Sequence, residues 1–184
     1  MKNLFVQMNN EVAAVLNRVS EIEFTAFGEA IKGASRIFVA GEGRSGLMGK
    51  AFAMRLMHAG YSAFVVGETI TPSIGADDVL VAISGSGTTE IVHLYANQAK
   101  KVGASVVLIT TNRNSKIAEY SDLTLRIPAA TKLRLEDEPP TIQPLGNQFD
   151  QSLHMLLDAV IIGILNETDE DSFQEMTRRH SNLQ

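Results

Sequence analysis

The sequence predicts an α/β fold, a three-layer α-β-α sandwich built on a five-stranded parallel sheet. Three observations carry this. Short apolar runs alternate along the chain with segments of helical periodicity, the pattern of repeated βαβ units. The runs are apolar throughout instead of alternating with polar residues, as in strands buried on both faces. Two of them end in glycine-rich turns that lead into helices.

The elements follow in order. Leu4, Met8, Val12, Val15 and Leu16 fall on one helical face over residues 3–18. Ile22, Phe24, Phe27, Ala30 and Ile31 continue the pattern to Gly33, as a second helix or a bent continuation. Residues 36–40 read as the first strand and 45–59 as the helix after it. Residues 63–66 and 79–83 are the next strands. A helix over 89–101, a strand over 105–110, a short helix over 115–119 and a fifth strand over 123–127 complete the alternation. Residues 128–145 break it, with Pro139, Pro140 and Pro144 beside the acidic run Glu136-Asp137-Glu138. A patternless segment of this length is more often functional than idle. Phe149, Leu153, Leu156, Leu157, Val160 and Ile164 then mark a strong helix over 147–165. The tail, 166–184, is polar, with Phe173 and Met176 as its anchors.

At 184 residues the chain fits one domain, 1–184, with an N-terminal helical segment over about 3–32. Its hydrophobic fraction of 45% supplies a substantial core and excludes disorder as a whole. The formal charge of -5 argues against a nucleic-acid-wrapping surface. The absence of cysteine excludes disulfides, thiolate metal sites and a cysteine nucleophile. Polar residues interrupt the first five positions, so no secretory apolar region forms, and no run reaches the ~20 apolar residues of a membrane span. A cytoplasmic protein, with no membrane partner, is the expectation.

The first turn, Gly41-Glu42-Gly43-Arg44-Ser45-Gly46, matches G-x-G-x-x-G, a weak signal alone. A dinucleotide site also wants an acidic residue closing the second strand, and Glu68 stands there marginally late. A tight strand-to-helix turn that binds nothing explains the same glycines. The second turn, Ser84-Gly85-Ser86-Gly87-Thr88-Thr89-Glu90, places four hydroxyl residues within six positions. A helix cap needs one. Free N–H groups and the helix dipole there favour an anion such as a phosphate. No Gly-Lys-Ser/Thr follows, so a P-loop is not indicated. Together the turns point to a phosphorylated small molecule at the open end of the sheet. His58, His93, His154 and His180 lack metal-ligand spacing, and His58 and His93 read as helix residues without a catalytic role.

These turns resemble the sugar isomerase (SIS) domain. Three further segments narrow the resemblance to the 6-phospho-3-hexuloisomerase group: Ala51-Phe52-Ala53-Met54-Arg55-Leu56-Met57-His58, Gln143-Pro144-Leu145-Gly146 and Arg179-His180-Ser181-Asn182-Leu183. The resemblance spans about residues 5–183. It implies a flavodoxin-like sheet, a homo-oligomer (a tetramer), and no metal or organic cofactor. The implied reaction converts a hex-3-ulose 6-phosphate to fructose 6-phosphate through a cis-enediol, in the ribulose monophosphate route of formaldehyde fixation or detoxification. Other SIS aldose–ketose isomerases and a non-catalytic sugar-phosphate-binding module are the alternatives. A regulator would be expected to carry a DNA-binding domain ahead of the roughly 35 residues before the first strand. An arabinose 5-phosphate isomerase would be expected to carry nucleotide-binding modules after the sheet.

Carried over by resemblance, Ser45, Ser84, Ser86 and Thr89 are phosphate ligands, assisted by the backbone of Gly85 and Gly87, and Arg44 is a substrate ligand. The group's catalytic glutamate falls on Asp150, whose side chain is one methylene shorter. The group also usually has a small hydroxyl residue and a hydrophobe where this chain has Asn147-Gln148. Asp150 is therefore the expected base, with an alternative reading as a first-turn acid favouring the helix dipole. His180 is the second catalytic candidate, in its own or a neighbouring subunit. Glu90 reads as a dipole partner of its helix, and Arg55 as a salt-bridge or interface residue.

Overall fold

The computed structural model describes residues 2–166 and 172–183. Five strands, β1 (Ile37–Gly41), β2 (Ala63–Val65), β3 (Val79–Ile83), β4 (Ser105–Thr110) and β5 (Leu123–Arg126), form one parallel sheet in the order β2-β1-β3-β4-β5. The chain runs outward from β1 to β2, then crosses back to place β3 on the other side of β1. The strand order thus reverses between β1 and β3, and in open α/β sheets ligands bind at such a switch point, beyond the carboxyl ends of the strands. Both glycine-rich turns leave from these two adjacent strands.

Among the described residues six helices surround the sheet: α1 (Lys2–Leu16), α2 (Glu21–Gly33), α3 (Gly43–His58), α4 (Glu90–Lys101), α5 (Asn147–Asn166) and α6 (Ser172–Arg179). The opening is two helices, because Ser20 caps α2 by accepting from the Glu23 N–H. Strand side chains alternate between two cores. Ile37, Val39, Val81, Ile83 and Ile109 face Phe27, Ile31, Phe52, Leu56, Leu153 and Leu157 of α2, α3 and α5. Phe38, Ala40, Leu80, Ala82 and Leu108 face Val92, Ala96 and Ala99 of α4.

Three expectations are corrected. The short helix predicted over 115–119 is a single 3-10 turn, Ala118–Tyr120. The tail contains α6, an amphipathic helix that the sparse apolar residues did not reveal. Within α6 only Met176 packs against the core, and Phe173 is 78% exposed. Residues 167–171 and 184 of that tail lie outside the described residues.

The segment at 128–145 is tied down by charged side chains. The Glu138 carboxylate accepts from the Thr131 N–H, the Thr131 hydroxyl and the Leu135 N–H. The Arg134 guanidinium donates to the backbone oxygens of Thr131 and Gln143. Glu11 of α1 takes the Thr141 hydroxyl and the Ile142 N–H. Polar residues of this patternless segment thus supply the partners for backbone groups that have no ladder or helix.

Candidate active site

The first turn is shaped by a close backbone approach. A Cβ on Gly46 would stand 2.4 Å from the Gly41 oxygen, so α3 begins directly against the end of β1. Gly43 adopts φ +58°, in the left-handed region that glycine enters without strain. This geometry sends Arg44 and Ser45 upward from the first turn of α3. The N-terminus of α5 packs across it, because α3 and α5 share the larger core.

Asp150 lies in that first turn of α5 and is only 5% exposed. The Ser45 Oγ donates to Asp150 Oδ1 at 2.8 Å, and Arg44 Nε stands 3.3 Å from Oδ2. Burial raises the Asp150 carboxyl above the ordinary aspartate value, and the Ser45 hydroxyl and Arg44 guanidinium offset part of that rise. A desolvated carboxylate whose charged form is favoured by a few directed partners suits proton abstraction from carbon.

The second turn is held by its own hydroxyls. Ser84, 2% exposed, pairs its Oγ with Thr89 Oγ1 at 2.8 Å, and Ser86 Oγ pairs with Thr88 Oγ1 at 2.9 Å. The Gly85 oxygen accepts from the hydroxyls of Thr110 and Thr111 at the end of β4. Gly87 sits at φ +69°, and a Cβ there would lie 2.1 Å from Ser115 Oγ. Its N–H was expected to help bind phosphate. It is instead turned inward to Ser84, donating to both Oγ and O, and so closes the loop. The first intrahelical bond of α4 runs from the His93 N–H to the Thr89 oxygen, which leaves the preceding N–H groups as first-turn donors.

His180 is not brought to this cluster within the chain. It stacks on His58 at the far end of α3, with ring centroids 5.1 Å apart. Thirteen residues of helix separate Ser45 from His58, a rise of roughly 20 Å. Glu90 is exposed in the first turn of α4, the placement expected of a dipole partner. Arg55 is exposed and acts on His58, whose pKa falls below the ordinary histidine value through burial and the charges of His180 and Arg55. Glu68, the acidic residue a dinucleotide site would need, is paired with Lys50 at 2.6 Å. His93 packs edge-on against Tyr120, and His154 pairs with Asp158. Among the described residues no three His, Asp or Glu side chains converge as a metal site requires, and no helix is long and apolar enough to cross a membrane.

The sequence reading missed the groups behind the site. Thr110 and Thr111 brace the second turn, Ser115 packs against Gly87, and Asn147 takes a hydrogen bond from Arg44 at 2.6 Å. Only the position of Asn147, beside the Gln143–Gly146 segment, drew attention in the sequence.

The SIS domain pattern matches residues 30–136, which include both turns. The chain belongs to the SIS domain family. Within that family it is similar to the 3-hexulose-6-phosphate isomerase of Bacillus subtilis, 38% identical over 94% of this chain and 97% of the relative. The 3-hexulose-6-phosphate isomerase of Mycobacterium gastri is 39% identical over 96% of this chain and 88% of its own length. Among solved structures, a hypothetical protein of Methanococcus jannaschii, for which a molecular function of 3-hexulose-6-phosphate isomerase was inferred, superposes with a TM-score of 0.85. It is 32% identical, with full coverage of both chains. The SIS pattern stops before Asp150, which lies in α5.

Proposed function

We propose that this SIS-domain protein isomerises D-arabino-hex-3-ulose 6-phosphate to D-fructose 6-phosphate. The observation that carries the reading is the buried Asp150 carboxylate, held by Ser45 and Arg44 above the switch point of the sheet. The similarity to 3-hexulose-6-phosphate isomerases supplies the substrate.

In this reading the phosphate settles on the second turn. Its acceptor oxygens replace the exchangeable hydroxyl pairs, so that Ser84, Ser86 and Thr89 turn their protons to the ligand. N–H groups around Gly85 and in the first turn of α4 add donors and a favourable dipole. Gly87 contributes by closing the loop. Asp150 removes the proton from C2, electron density moves into the C3 carbonyl, and a cis-enediol forms as O3 takes a proton. Asp150 then returns its proton to C3 while O2 loses one, leaving the ketone at C2. Arg44 stabilises the negative charge that develops on oxygen, and Ser45 fixes the carboxylate.

The chain acts in this reading as one domain in a cytoplasmic homo-oligomer, a tetramer, with His180 serving the site of a neighbouring subunit. Its distance from Asp150 within one chain favours that placement. Exposed Leu4, Phe5 and Val6 of α1, and Leu47, Met54 and Met57 of α3, supply apolar surface for such contacts.

A coupled assay tests the reading. Ribulose 5-phosphate, formaldehyde and a separate synthase generate the hexulose phosphate, and fructose 6-phosphate is followed on adding the protein. Robust turnover is expected. Absence of turnover, with fructose 6-phosphate still raising Tm, would leave a binding module in its place.

A further inference from the structure

A chain of side-chain hydrogen bonds runs from α1 to the candidate base. Glu11 Oε2 accepts from Gln143 Nε2 at 3.1 Å, and Gln143 Oε1 accepts from Asn147 Nδ2 at 2.7 Å. Asn147 Oδ1 accepts from Arg44 Nη2 at 2.6 Å, and Arg44 Nε lies 3.3 Å from Asp150 Oδ2. The direction of this chain is forced from both ends. An ionised Glu11 can only accept, so the Gln143 amide must present its nitrogen there and its oxygen to Asn147. A guanidinium can only donate, so Asn147 must present its oxygen to Arg44. Each amide has one orientation that satisfies both neighbours.

The Glu11 end is fixed. Burial opposes its charge, but the Thr141 hydroxyl, the Ile142 N–H, Gln143 and the Arg134 charge outweigh that and hold its pKa below the ordinary glutamate value. Gln143 is 2% exposed, and its backbone oxygen is gripped by Arg134 at 2.5 Å. The other end is loose by nature. The Arg44 side chain is 60% exposed. An exposed arginine meeting a carboxylate loses much of the Coulomb gain to water and to rotamer entropy. Something must hold the guanidinium if it is to stay on Asp150, and the bond to Asn147 is the second restraint the structure provides.

We propose that Asn147, set by Gln143 and Glu11, is a positioning residue that keeps the Arg44 guanidinium against Asp150. This rests on the reading of Asp150 as the base. Arg44, from α3, is the charged group among the described residues that acts on Asp150, while Ser45 contributes an uncharged hydrogen bond. Losing the positive neighbour favours the protonated carboxyl, so the Asp150 pKa must rise when Arg44 is released.

The test is to titrate the Asp150 carboxyl carbon by NMR in the full chain, assigned with Asp150→Asn, alongside the acid limb of kcat/KM. Asn147→Ala should move both upward by roughly one pH unit, and Arg44→Ala should do the same. The double variant should move them no further than Arg44→Ala alone, because Asn147 acts only through Arg44. Asn147→Ser, a milder change should the alanine fold poorly, should shift in the same direction by less. An unmoved Asp150 in both Asn147 variants, or a shift that adds to that of Arg44→Ala, overturns the proposal. If the wild-type protein does not turn over the hexulose phosphate but the NMR shifts follow this pattern, the assigned reaction falls and the positioning role stands.

Discussion

Ser45 and Asp150 stand 105 positions apart in sequence, yet the Ser45 hydroxyl donates to the Asp150 carboxylate across 2.8 Å. The contact exists because α3 and α5 pack on the same face of the sheet, so the first turn of one helix lies over the first turn of the other. It joins the first glycine-rich turn to the candidate base. The hydroxyl was expected among the phosphate ligands; the structure commits its proton to the carboxylate instead. The shorter aspartate side chain is met by a serine already within reach.

Burial of Asp150 sets the pH dependence of turnover, and the Ser45 contact moderates it. The base must be ionised, and burial places the Asp150 pKa above the ordinary aspartate value. Activity should therefore fall with acid at a higher pH than an exposed aspartate would give. Ser45→Ala removes a hydrogen bond that favours the charged form, so the acid limb of kcat/KM should move further up. A limb unchanged in Ser45→Ala would place the titrating base elsewhere.

Asp150→Asn keeps the shape of the site and removes the proton acceptor. We expect loss of turnover by at least ~100-fold, the scale of general-base contributions, with fructose 6-phosphate affinity nearly unchanged by calorimetry. Equal turnover would transfer the role to another group.

Gly87 tests the second turn. Alanine there must adopt φ +69° and place a methyl group 2.1 Å from Ser115 Oγ and 3.1 Å from Thr110 Oγ1. The loop must open to relieve the clash, and opening it separates Ser84 from Thr89. Gly87→Ala should weaken sugar-phosphate binding strongly, seen as loss of the Tm increase on adding fructose 6-phosphate. Adding Ser115→Gly removes the clash but leaves the strained φ, so it should restore binding in part.

The parallel sheet was legible because buried strands write themselves as uninterrupted apolar runs such as Val79–Ile83. The two turns were legible because glycine and hydroxyl residues cluster there beyond what capping needs. What escaped was long-range pairing of polar side chains. Nothing local marks Glu11 as a partner of Gln143, or Thr111 as a donor to the Gly85 oxygen, since each is an ordinary polar residue until the fold brings its mate. The helix α6 escaped for a different reason: it is only eight residues long and mostly polar, so Phe173 and Met176 are too few to mark a helical face in the sequence. His180 shows the limit of transfer by resemblance, because within the chain it stacks on His58 and does not reach Asp150.

Away from the site, Arg36 holds Asp78 through Nε at 3.0 Å and Nη2 at 2.6 Å, and Asp78 is 3% exposed. Burial works against the carboxylate, but Arg36 and the Gly75 N–H outweigh it and lower its pKa. A carboxyl with a depressed folded-state pKa contributes stability above its unfolded pKa and loses it as pH falls through the folded value. Arg36→Leu leaves a buried charge unpaired, so it should lower Tm clearly at neutral pH. The difference from wild type should shrink in acid as Asp78 protonates. A difference independent of pH would assign the loss to packing of the arginine over Phe38, 5.4 Å away.

Mixing two variant chains separates the two catalytic candidates by chain. Asp150 sits at the start of α3's partner helix and His180 at the far end of α3, stacked on His58. If His180 serves a neighbouring subunit, each site is built from two chains. Asp150→Asn and His180→Ala should then each be inactive alone, while the two refolded together should recover activity. Recovery occurs because some sites in a mixed assembly receive an intact Asp150 from one chain and an intact His180 from the other. His58 supplies the control. Its pKa is depressed by burial first and by His180 and Arg55 next, so its protonation in acid is unfavourable in the folded chain and should loosen α6. His58→Phe keeps a ring for His180 to stack on and removes that acid sensitivity. Full activity in His180→Ala, with α6 easier to cleave by protease, would confine His180 to holding the tail.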